Sequence, residues 1–236
     1  MSENLYLNTN ITEGKLEDWQ EGKVILANKP IGWSSFDVVN KIRWKLKKHF
    51  NIKNIKVGHA GTLDPQATGL LIVCTGAFTK KIHLFQESEK TYHGFIKLGF
   101  ITASYDSETP ELEKFSIDHI DERMIKETAL SFIGESQQYP PLFSALKKKG
   151  KPLYQYARKG QEVSISPRKI FIYSFDILSL KMPYIEFRIC CSKGTYIRSI
   201  AYDFGKKLHS GAYLSQLKRE KIGDHTLEGI NLVPFI

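Results

Sequence analysis

Cysteine is scarce in this chain of 236 residues, which contains only Cys74, Cys190 and Cys191. No two of them have the Cys-x-x-Cys spacing of a structural zinc site, so the sequence lacks the usual signal for one. Three cysteines also argue against a framework of disulfide bonds. We therefore expect a reduced protein of the cytoplasm.

Long apolar segments and the common catalytic motifs are also missing. The longest strongly apolar run, Leu70 to Cys74, is far too short to cross a bilayer. The first 22 residues contain five acidic side chains and lack the apolar core of a signal peptide. The sequence contains no P-loop, no glycine fingerprint for dinucleotides, no His-Glu-x-x-His and no Gly-x-Ser-x-Gly. The sequence thus gives no sign of a membrane span or of the enzymes that those motifs mark.

Acidic residues are too few to balance the basic ones. The chain has 34 Lys and Arg against 25 Asp and Glu, which gives a net charge of +9. An excess of this size favours a polyanionic partner such as nucleic acid, although it does not identify one. Hydrophobic residues make up 42% of the chain, as in ordinary globular proteins, and the length suffices for one domain or for one domain with an insertion.

Apolar periodicity predicts strands and helices that do not alternate regularly. Apolar runs predict strands at Val24–Asn28, Gly69–Thr75, Lys90–Leu98, Ile170–Leu180 and Tyr184–Cys191. Apolar residues at helical spacing predict helices at about 35–50, 76–85, 120–132 and 197–208. Residues 1–22 are predicted to form a polar lead-in, and residues 101–114 a polar loop. The pattern favours an α+β fold, with a mixed, mainly antiparallel sheet flanked by helices, over a doubly wound fold.

Basic residues concentrate in an irregular segment at about residues 137–169. Eight basic residues lie there beside one acidic residue, Glu162: Lys147, Lys148, Lys149, Lys151, Arg158, Lys159, Arg168 and Lys169. Tyr154 and Tyr156 are interleaved with these charges. Because basic side chains neutralise phosphates and tyrosines stack on bases, we favour an RNA-binding insertion over a solvated loop.

Two other basic clusters are less specific. For the basic face of the helix at 35–50, solvation and nucleic-acid contact are equally good interpretations. A third cluster, Lys218, Arg219 and Lys221, is predicted to form a basic helix–turn near the C-terminus.

Two short segments contain candidate catalytic residues. Between Gly58 and Pro65, a glycine-rich turn holds His59 and Asp64, and Asp64 either faces a ligand or only caps the turn. A histidine such as His59, taken alone, is more often structural. Arg198 stands near the start of a helix, where the helix dipole does not favour a cation. We therefore expect a carboxylate or phosphate partner for Arg198, the alternative being an exposed arginine.

Five motifs, in order along the chain, resemble those of the TruB family of tRNA pseudouridine synthases. They are Gly-His-Ala-Gly-Thr-Leu-Asp-Pro-Gln-Ala-Thr-Gly at 58–69, Lys-Thr-Tyr at 90–92, Phe-Ser-Ala-Leu-Lys at 143–147, Leu-Tyr-Gln-Tyr-Ala-Arg-Lys-Gly at 153–160 and Cys-Ser-Lys-Gly-Thr-Tyr-Ile-Arg at 191–198. The resemblance extends from about Val24 to about Asn231. It implies the pseudouridine synthase fold, with the basic insertion at about 137–169 as an RNA-gripping thumb.

The resemblance also implies an activity. The family isomerises uridine to pseudouridine at position 55, in the T-loop of tRNA, without a metal or an organic cofactor. By this resemblance Asp64 is the catalytic carboxylate, which either attacks C1′ or removes a proton from C2′, and Arg198 is the arginine that pairs with it. Tyr92 corresponds to the tyrosine that packs on the target uracil, and Tyr196 to a second active-site tyrosine.

Residues that contact RNA are implied in the same way. His59 corresponds to a histidine that positions the flipped nucleotide, Lys29 to a lysine beside the active site, and Leu217 to the lining of the uracil pocket. The thumb residues expected to contact RNA are Lys147, Lys148, Lys149, Lys151, Tyr154, Tyr156, Arg158 and Lys159.

The resemblance further predicts the domain organisation and the partners. The catalytic domain is expected at 23–236, without the RNA-binding PUA domain that follows it in many members, so tRNA binding should be weaker and more salt-sensitive. We expect a monomer that binds tRNA through its T-arm, with no metal, no membrane and no obligate protein partner. Two other functions stay open: a non-catalytic RNA-binding module, and a nucleoside hydrolase or base glycosylase that releases free base.

Overall fold

A computed structural model of the chain describes residues 4–148, 150–161 and 163–235. These residues form two compact units. The first contains the described residues up to Tyr92 and those from Leu217 onward, and the second contains those from His93 to Gln216. Lys149, which belongs to the expected thumb, lies outside the described residues.

Strands outnumber helices in the described part of the chain. The strands are β1 (Tyr6–Leu7), β2 (Val24–Lys29), β3 (Val57–His59), β4 (Ala67–Thr75), β5 (Lys90–Leu98), β6 (Phe100–Thr102), β7 (Glu111–Lys114), β8 (Gly134–Gln138), β9 (Lys147–Lys148), β10 (Lys151–Pro152), β11 (Arg168–Lys181), β12 (Tyr184–Cys191), β13 (Ala212–Ile222), β14 (His225–Thr226) and β15 (Val233–Pro234). The helices are α1 (Leu16–Glu21), α2 (Ser35–His49), α3 (Ile82–Glu87), α4 (Glu122–Leu130), α5 (Leu153–Ala157) and α6 (Ile197–Lys207), and a 3₁₀ helix (Gly76–Lys81) precedes α3. None of these helices is both long and apolar enough to span a membrane.

The sheet of the first unit is mixed. Its strands lie in the order β15–β1–β2–β4–β13, and β3 also pairs with β4. The pairings of β1 with β15, of β1 with β2, and of β2 and β3 with β4 are antiparallel. By contrast, β4 and β13 run parallel, with Leu217 opposite Ala67 and Arg219 opposite Gly69. The mixed, mainly antiparallel sheet that the sequence predicts is thus confirmed.

Strand β4 is buried on both of its faces. Leu71 and Val73 belong to one hydrophobic cluster, together with the apolar side of α2. Leu70, Ile72 and Cys74 belong to a second cluster on the other face. A strand covered on both sides needs no polar alternation, which explains the continuous apolar run in this part of the sequence.

Helix α2 begins at Ser35, as the sequence predicts. The Ser34 hydroxyl accepts a 3.1 Å hydrogen bond from the Asp37 N–H, and the Asp37 carboxylate accepts one of 2.8 Å from the Ser34 N–H. This reciprocal pair is a capping box, which satisfies backbone donors that the helix itself cannot. The buried residues of α2 are Ser35, Val38, Val39, Ile42 and Leu46. None of the lysines and arginines of α2 is buried: Lys41 and Lys48 are exposed, and Arg43, Lys45 and Lys47 are half-buried.

The N-terminal segment packs into the first unit. Leu5, Leu7, Ile11 and Trp19 are buried in the same cluster as α2. Trp19 is completely buried, and its indole N–H donates to the carbonyl oxygen of Glu13 at 3.2 Å. The described part of residues 1–22 thus has a packing role that its polar composition does not predict.

The second unit contains an antiparallel sheet with helices packed on it. Strands β8, β11 and β12 lie in that order as neighbours. Phe175 of β11 contacts Phe187 of β12 and Phe204 of α6, and Phe132, just after α4, stacks on Phe204. These aromatic contacts hold α4 and α6 against the sheet.

Two predictions from the sequence are wrong. The expected loop at 101–114 contains the antiparallel hairpin of β6 and β7. All four residues of β7 are exposed, so no apolar alternation marks that strand. The expected basic helix–turn near the C-terminus is strand β13, whose Arg219 is only 1% exposed.

Candidate active site

Asp64 lies on the loop that joins β3 to β4, where its side chain is half-buried. The chain turns directly after it, because the Ala67 N–H donates to the Asp64 carbonyl oxygen at 3.0 Å. Gly61 has a φ of +130°, a backbone conformation that is strained for residues with a side chain. The glycine-rich turn therefore presents a carboxylate that solvent or a ligand can still reach.

The residue before Asp64 is fixed by Ser35, the first residue of α2. The Ser35 hydroxyl accepts a 2.8 Å hydrogen bond from the Leu63 N–H and donates one of 3.0 Å to the Leu63 carbonyl oxygen. Both residues are buried. Because both backbone polar groups of Leu63 are held by one rigid side chain, the start of the Asp64 backbone has little freedom.

Arg219, on β13, binds backbone carbonyl oxygens of the same loop and of the start of β4. Its guanidinium donates to the carbonyl oxygens of Leu70 at 2.8 Å, Gly61 at 3.1 Å and Thr62 at 3.3 Å. The sequence places Arg219 in a basic cluster with Lys218 and Lys221, but in the structure its side chain is buried. Arg219 instead connects β13 to the loop that precedes Asp64.

A close approach of two strands brings Arg219 to the loop. Gly69 has a φ of +101°, and a Cβ atom there would lie 2.3 Å from the carbonyl oxygen of Arg219. Such a contact is far too short, so only glycine allows β4 and β13 to pair at this point. Leu217, two residues before Arg219 on β13, is half-buried opposite Ala67.

Lys29 is a buried cation beside this loop. Its ammonium donates to the carbonyl oxygens of Trp33 at 2.6 Å, Pro30 at 3.0 Å and Pro65 at 3.5 Å. Burial lowers the pKa of Lys29 from 10.5 to about 8, and the negative charge of Asp64 opposes this decrease. At pH 7 the ammonium is therefore still protonated and close enough to Asp64 to interact with its charge.

His59, at the end of β3, is a neutral hydrogen-bonding group. Its Nδ1 atom accepts a 3.3 Å hydrogen bond from the Gly61 N–H, so the ring proton belongs on Nε2. Burial, and then the positive charge of Arg219, lower the pKa of His59 below its ordinary value. The imidazole is thus neutral at pH 7 and has an N–H to offer to a ligand.

Tyr92 lies on the buried face of β5. Residues alternate along this strand between buried and half-buried positions, and Tyr92 is only 9% exposed. Gly94, Ile96 and Leu98 share the buried face with Tyr92, and the strand predicted at Lys90–Leu98 is confirmed. The ring is thereby fixed within the protein.

Tyr196, in the second unit, immediately precedes α6. Its backbone N–H donates to Gln138 Oε1 at 2.8 Å, and its carbonyl oxygen accepts a 3.0 Å hydrogen bond from Gln138 Nε2. The guanidinium of Arg168 lies over the Tyr196 ring, 5.4 Å from its centroid. Gln138, at the end of β8, thus fixes the backbone at Tyr196.

Arg198, in the first turn of α6, is buried. Its Nη1 atom donates to the carbonyl oxygens of Phe143 at 2.9 Å and Ser104 at 3.3 Å, and its Nε atom lies 3.5 Å from Asp106 Oδ2. Asp106 is buried as well and accepts a 2.5 Å hydrogen bond from the Ser104 hydroxyl. The alternative of an exposed arginine is therefore wrong. The pairing of Arg198 with Asp64 that the family resemblance implies stays a prediction.

The expected thumb contains the hairpin of β9 and β10 followed by α5. The Tyr156 hydroxyl donates to the Lys148 carbonyl oxygen at 3.1 Å, and the Lys148 ammonium contacts the Ser164 carbonyl oxygen. The Arg158 guanidinium lies over the Tyr154 ring, 5.6 Å from its centroid. Among the described thumb residues, the exposed basic side chains are Lys147, Lys151, Arg158, Lys159 and Lys169. Tyr156 and Lys148 thus help to hold the thumb together, while other basic residues face solvent.

Each of the two units contains some of the predicted site residues. The first unit brings Lys29 and His59 to the loop of Asp64, and also contains Tyr92 and Leu217. The second unit places Tyr196 and Arg198 at the start of α6. Sequence reasoning missed the residues that hold these groups in place, which are Ser35, Asp106, Gln138 and Arg219. Among the described residues, no three His, Cys, Asp or Glu side chains cluster as metal ligands would.

Comparison with known proteins gives consistent similarities along the chain. A family model described as TruB family pseudouridylate synthase, N-terminal domain, matches residues 47–197. A Flavobacterium johnsoniae protein named tRNA pseudouridine synthase B is 50% identical over 213 residues, covering 90% of this chain and 93% of that protein. A protein of the same name from Parabacteroides distasonis is 47% identical over 211 residues, covering 89% and 90%.

Solved structures include a similar fold. A chain from the crystal structure of a Cbf5-Nop10-Gar1 complex matches with a TM-score of 0.63 at 26% identity. The match covers 95% of this chain and 60% of the other one.

Proposed function

We propose, on the premise that this chain belongs to the TruB family of pseudouridylate synthases and is therefore an isomerase, that it converts uridine to pseudouridine at position 55, in the T-loop of tRNA. The observation that carries this proposal is the geometry around Asp64. A half-buried carboxylate sits on a loop whose backbone is held by Ser35 and Arg219, with the buried cation Lys29 beside it. The curated relatives that are named tRNA pseudouridine synthase B support the choice of tRNA as the substrate.

The reaction moves one bond within a single nucleotide. The glycosidic bond between C1′ and N1 breaks, the uracil turns, and a bond forms between C5 and C1′. C5 then loses its proton and N1 gains one, so that the product is an isomer of the substrate. No electrons leave the nucleotide, and the protein has only to bind it, hold the ribose and move protons.

Asp64 is the group that we assign to the ribose. As a carboxylate it either attacks C1′ or removes a proton from C2′, and both roles need the ionised form. The positive charge of Lys29 supports that form, and the family resemblance adds Arg198 as a second cation. Because the Leu63 backbone is fixed on both sides, the carboxylate is ready before the substrate arrives, which is the condition for efficient positioning.

We assign contact with the flipped uracil to the tyrosines and to His59. A uridine in a folded T-loop must leave its stack before a side chain can reach its ribose, at a cost of about a few kcal/mol. His59 offers a neutral N–H to the flipped nucleotide, and Tyr92 packs on the uracil and assists in removing the C5 proton. The family resemblance assigns Tyr196 to the active site as a second tyrosine, and Leu217 to the lining of the uracil pocket.

RNA binding is assigned to the exposed basic residues of the thumb. In this proposal residues 23–236 form the catalytic domain and residues 137–169 the thumb that grips the T-arm, with Tyr154 available to stack on a base. The enzyme works in the cytoplasm and needs no obligate protein partner.

An unmodified T-arm transcript, incubated with the pure protein without added metal, tests this function. Pseudouridine mapped at the T-loop uridine, with no free uracil released, supports isomerisation. Released uracil would instead indicate a glycosylase. Tight binding without any change in the RNA would indicate a non-catalytic RNA-binding module.

A further inference from the structure

Helix α2 and the segment after it form a strongly basic stretch outside the thumb. From Lys41 to Lys56 the chain has no acidic residue. Seven basic residues lie in this stretch: Lys41, Arg43, Lys45, Lys47, Lys48, Lys53 and Lys56. The net charge of this stretch, +7, equals that of the thumb at 137–169, where eight basic residues stand beside one acidic residue. The stretch nevertheless belongs to the first unit, in which Asp64 lies.

An exposed tryptophan lies in the middle of this basic stretch. Trp44 is 53% exposed, although the neighbouring Ile42 and Leu46 are completely buried. The ammonium groups of Lys41 and Lys48 lie over its ring, 5.7 Å and 5.0 Å from the centroid. The fold therefore does not use Trp44 as a core residue, and it presents a flat aromatic ring between two cations to the solvent.

We propose that Lys41, Trp44 and Lys48, here called the α2 surface, bind the RNA substrate at a point away from the reacting uridine. This inference rests on the proposed function, since it assumes that the substrate is RNA. The two lysines neutralise phosphates and the tryptophan stacks on a base or a ribose, a combination that suits single-stranded or irregular RNA.

The position of the α2 surface on its helix supports a contact distant from the chemistry. The first residue of α2, Ser35, is hydrogen-bonded to Leu63 next to Asp64. Trp44 follows nine residues later, which corresponds to about 14 Å along the helix axis. An RNA that places its uridine at Asp64 would therefore meet the α2 surface with a different nucleotide.

The chemistry of the surface favours RNA over a protein partner. A protein-binding patch usually has a contiguous apolar centre with few charges. The α2 surface instead has one aromatic ring flanked by lysines, and no carboxylate lies in the 41–56 stretch to neutralise them. A polyanion complements such a surface, and its affinity depends steeply on salt.

Charge reversal separates this role from catalysis. The double variant Lys41→Glu, Lys48→Glu should raise the Kd for an unmodified tRNA transcript about tenfold or more, and reduce the slope of log Kd against log salt by about two. The rate of pseudouridine formation at saturating enzyme should stay within about twofold of the wild type. The matched control is Lys114→Glu, Lys181→Glu, which reverses two exposed lysines elsewhere and should change Kd much less.

Two further variants make the result unambiguous. Trp44→Ala should raise the Kd about fivefold with the salt slope unchanged, because stacking depends little on salt. The milder Lys41→Gln, Lys48→Gln variant serves if the charge reversal disturbs folding. An unchanged Kd for these variants, or a Kd no more affected than in the control, would overturn the inference. Absence of pseudouridine formation by the wild-type protein would instead refute the proposed function. That outcome is read in the activity assay, separately from the Kd values that test the α2 surface.

Discussion

The guanidinium of Arg219 donates a 3.1 Å hydrogen bond to the carbonyl oxygen of Gly61, three residues before Asp64. The same side chain binds the carbonyl oxygens of Thr62 and Leu70 and is only 1% exposed. A buried cation that binds three backbone carbonyls fixes the path of the loop rather than contacting RNA. Arg219 is therefore a positioning residue for Asp64.

Replacing Arg219 by Met should lower the maximal rate without weakening RNA binding. Loss of the three hydrogen bonds frees the loop, and a shift of about 1 Å in the carboxylate can cost about 100-fold in rate. The Kd for tRNA should change by less than about threefold, because the side chain does not reach the surface. Single-turnover rates at saturating enzyme and filter binding measure the two quantities.

Lys218 provides the control for this experiment. It is the exposed neighbour of Arg219 on the same strand, so Lys218→Met should leave the maximal rate unchanged. Arg219→Lys keeps the charge but cannot reach three carbonyls, and we expect only partial recovery of the rate. A wild-type rate in Arg219→Met would contradict the positioning role.

Replacing either of two adjacent serines should lower the stability equally, but only one replacement should lower the reaction rate. Ser34 caps α2, whereas Ser35 holds Leu63 by two hydrogen bonds. Each substitution by Ala should lower the free energy of unfolding by about 1 to 2 kcal/mol. Only Ser35→Ala should also lower the rate, by about tenfold, because only Ser35 positions the loop of Asp64.

Urea denaturation and single-turnover rates on both variants provide the measurement. Equal rates in Ser34→Ala and Ser35→Ala, at similar loss of stability, would show that the Ser35 contact is structural only.

The buried Lys29 should make stability depend on pH in a defined direction. Burial lowers its pKa to about 8 in the folded state, from 10.5. Between these two values the unfolded chain binds more protons than the folded one, so the free energy of unfolding rises with pH through this window. This increase in the free energy of unfolding is absent below pH 8 and complete above pH 10.5.

Comparison with Lys29→Met isolates this effect. All other titrating groups are common to the two proteins and cancel in the difference. The stability of the wild type relative to Lys29→Met should increase by about 2 kcal/mol from pH 7 to pH 10. Urea denaturation at several pH values measures it, and a difference that stays constant or falls with pH would contradict the lowered pKa.

The regular elements with clear apolar patterns could be predicted from the sequence. The run from Leu70 to Cys74 gives β4, the alternation from Lys90 to Leu98 gives β5, and the serines before Phe36 give the start of α2. In each of these elements the apolar residues of the sequence pattern are the ones that the structure buries. The α+β class follows from them because strands and helices do not alternate.

Strand β13 could not be predicted because a charged residue occupies its buried face. Arg219 lies inward between exposed Lys218 and half-buried Glu220, so the local composition looks like a solvated basic cluster. Only the carbonyl groups of the Asp64 loop, which are distant in sequence, explain the burial of a guanidinium there.

Residues that hold the site were missed for a related reason. Asp106 lies in a polar segment without periodicity, and its contact with Arg198 joins residues 92 positions apart in sequence. Gln138 binds Tyr196 through two hydrogen bonds to the backbone, for which no pattern in the sequence gives a sign. The motif at 58–69 predicts Asp64 as a site residue, whereas the residues that hold its loop are visible only in three dimensions.

The central claim is that the Asp64 carboxylate carries out the reaction, and Asp64→Asn tests it most directly. The substitution keeps the size of the side chain and removes its charge. Pseudouridine at the T-loop uridine of a tRNA transcript should form at least about 10⁴-fold more slowly than with the wild type, as when a nucleophile is removed. The Kd for the transcript should remain within about threefold of the wild-type value. Pseudouridine formation by Asp64→Asn at a rate close to that of the wild type would contradict the account.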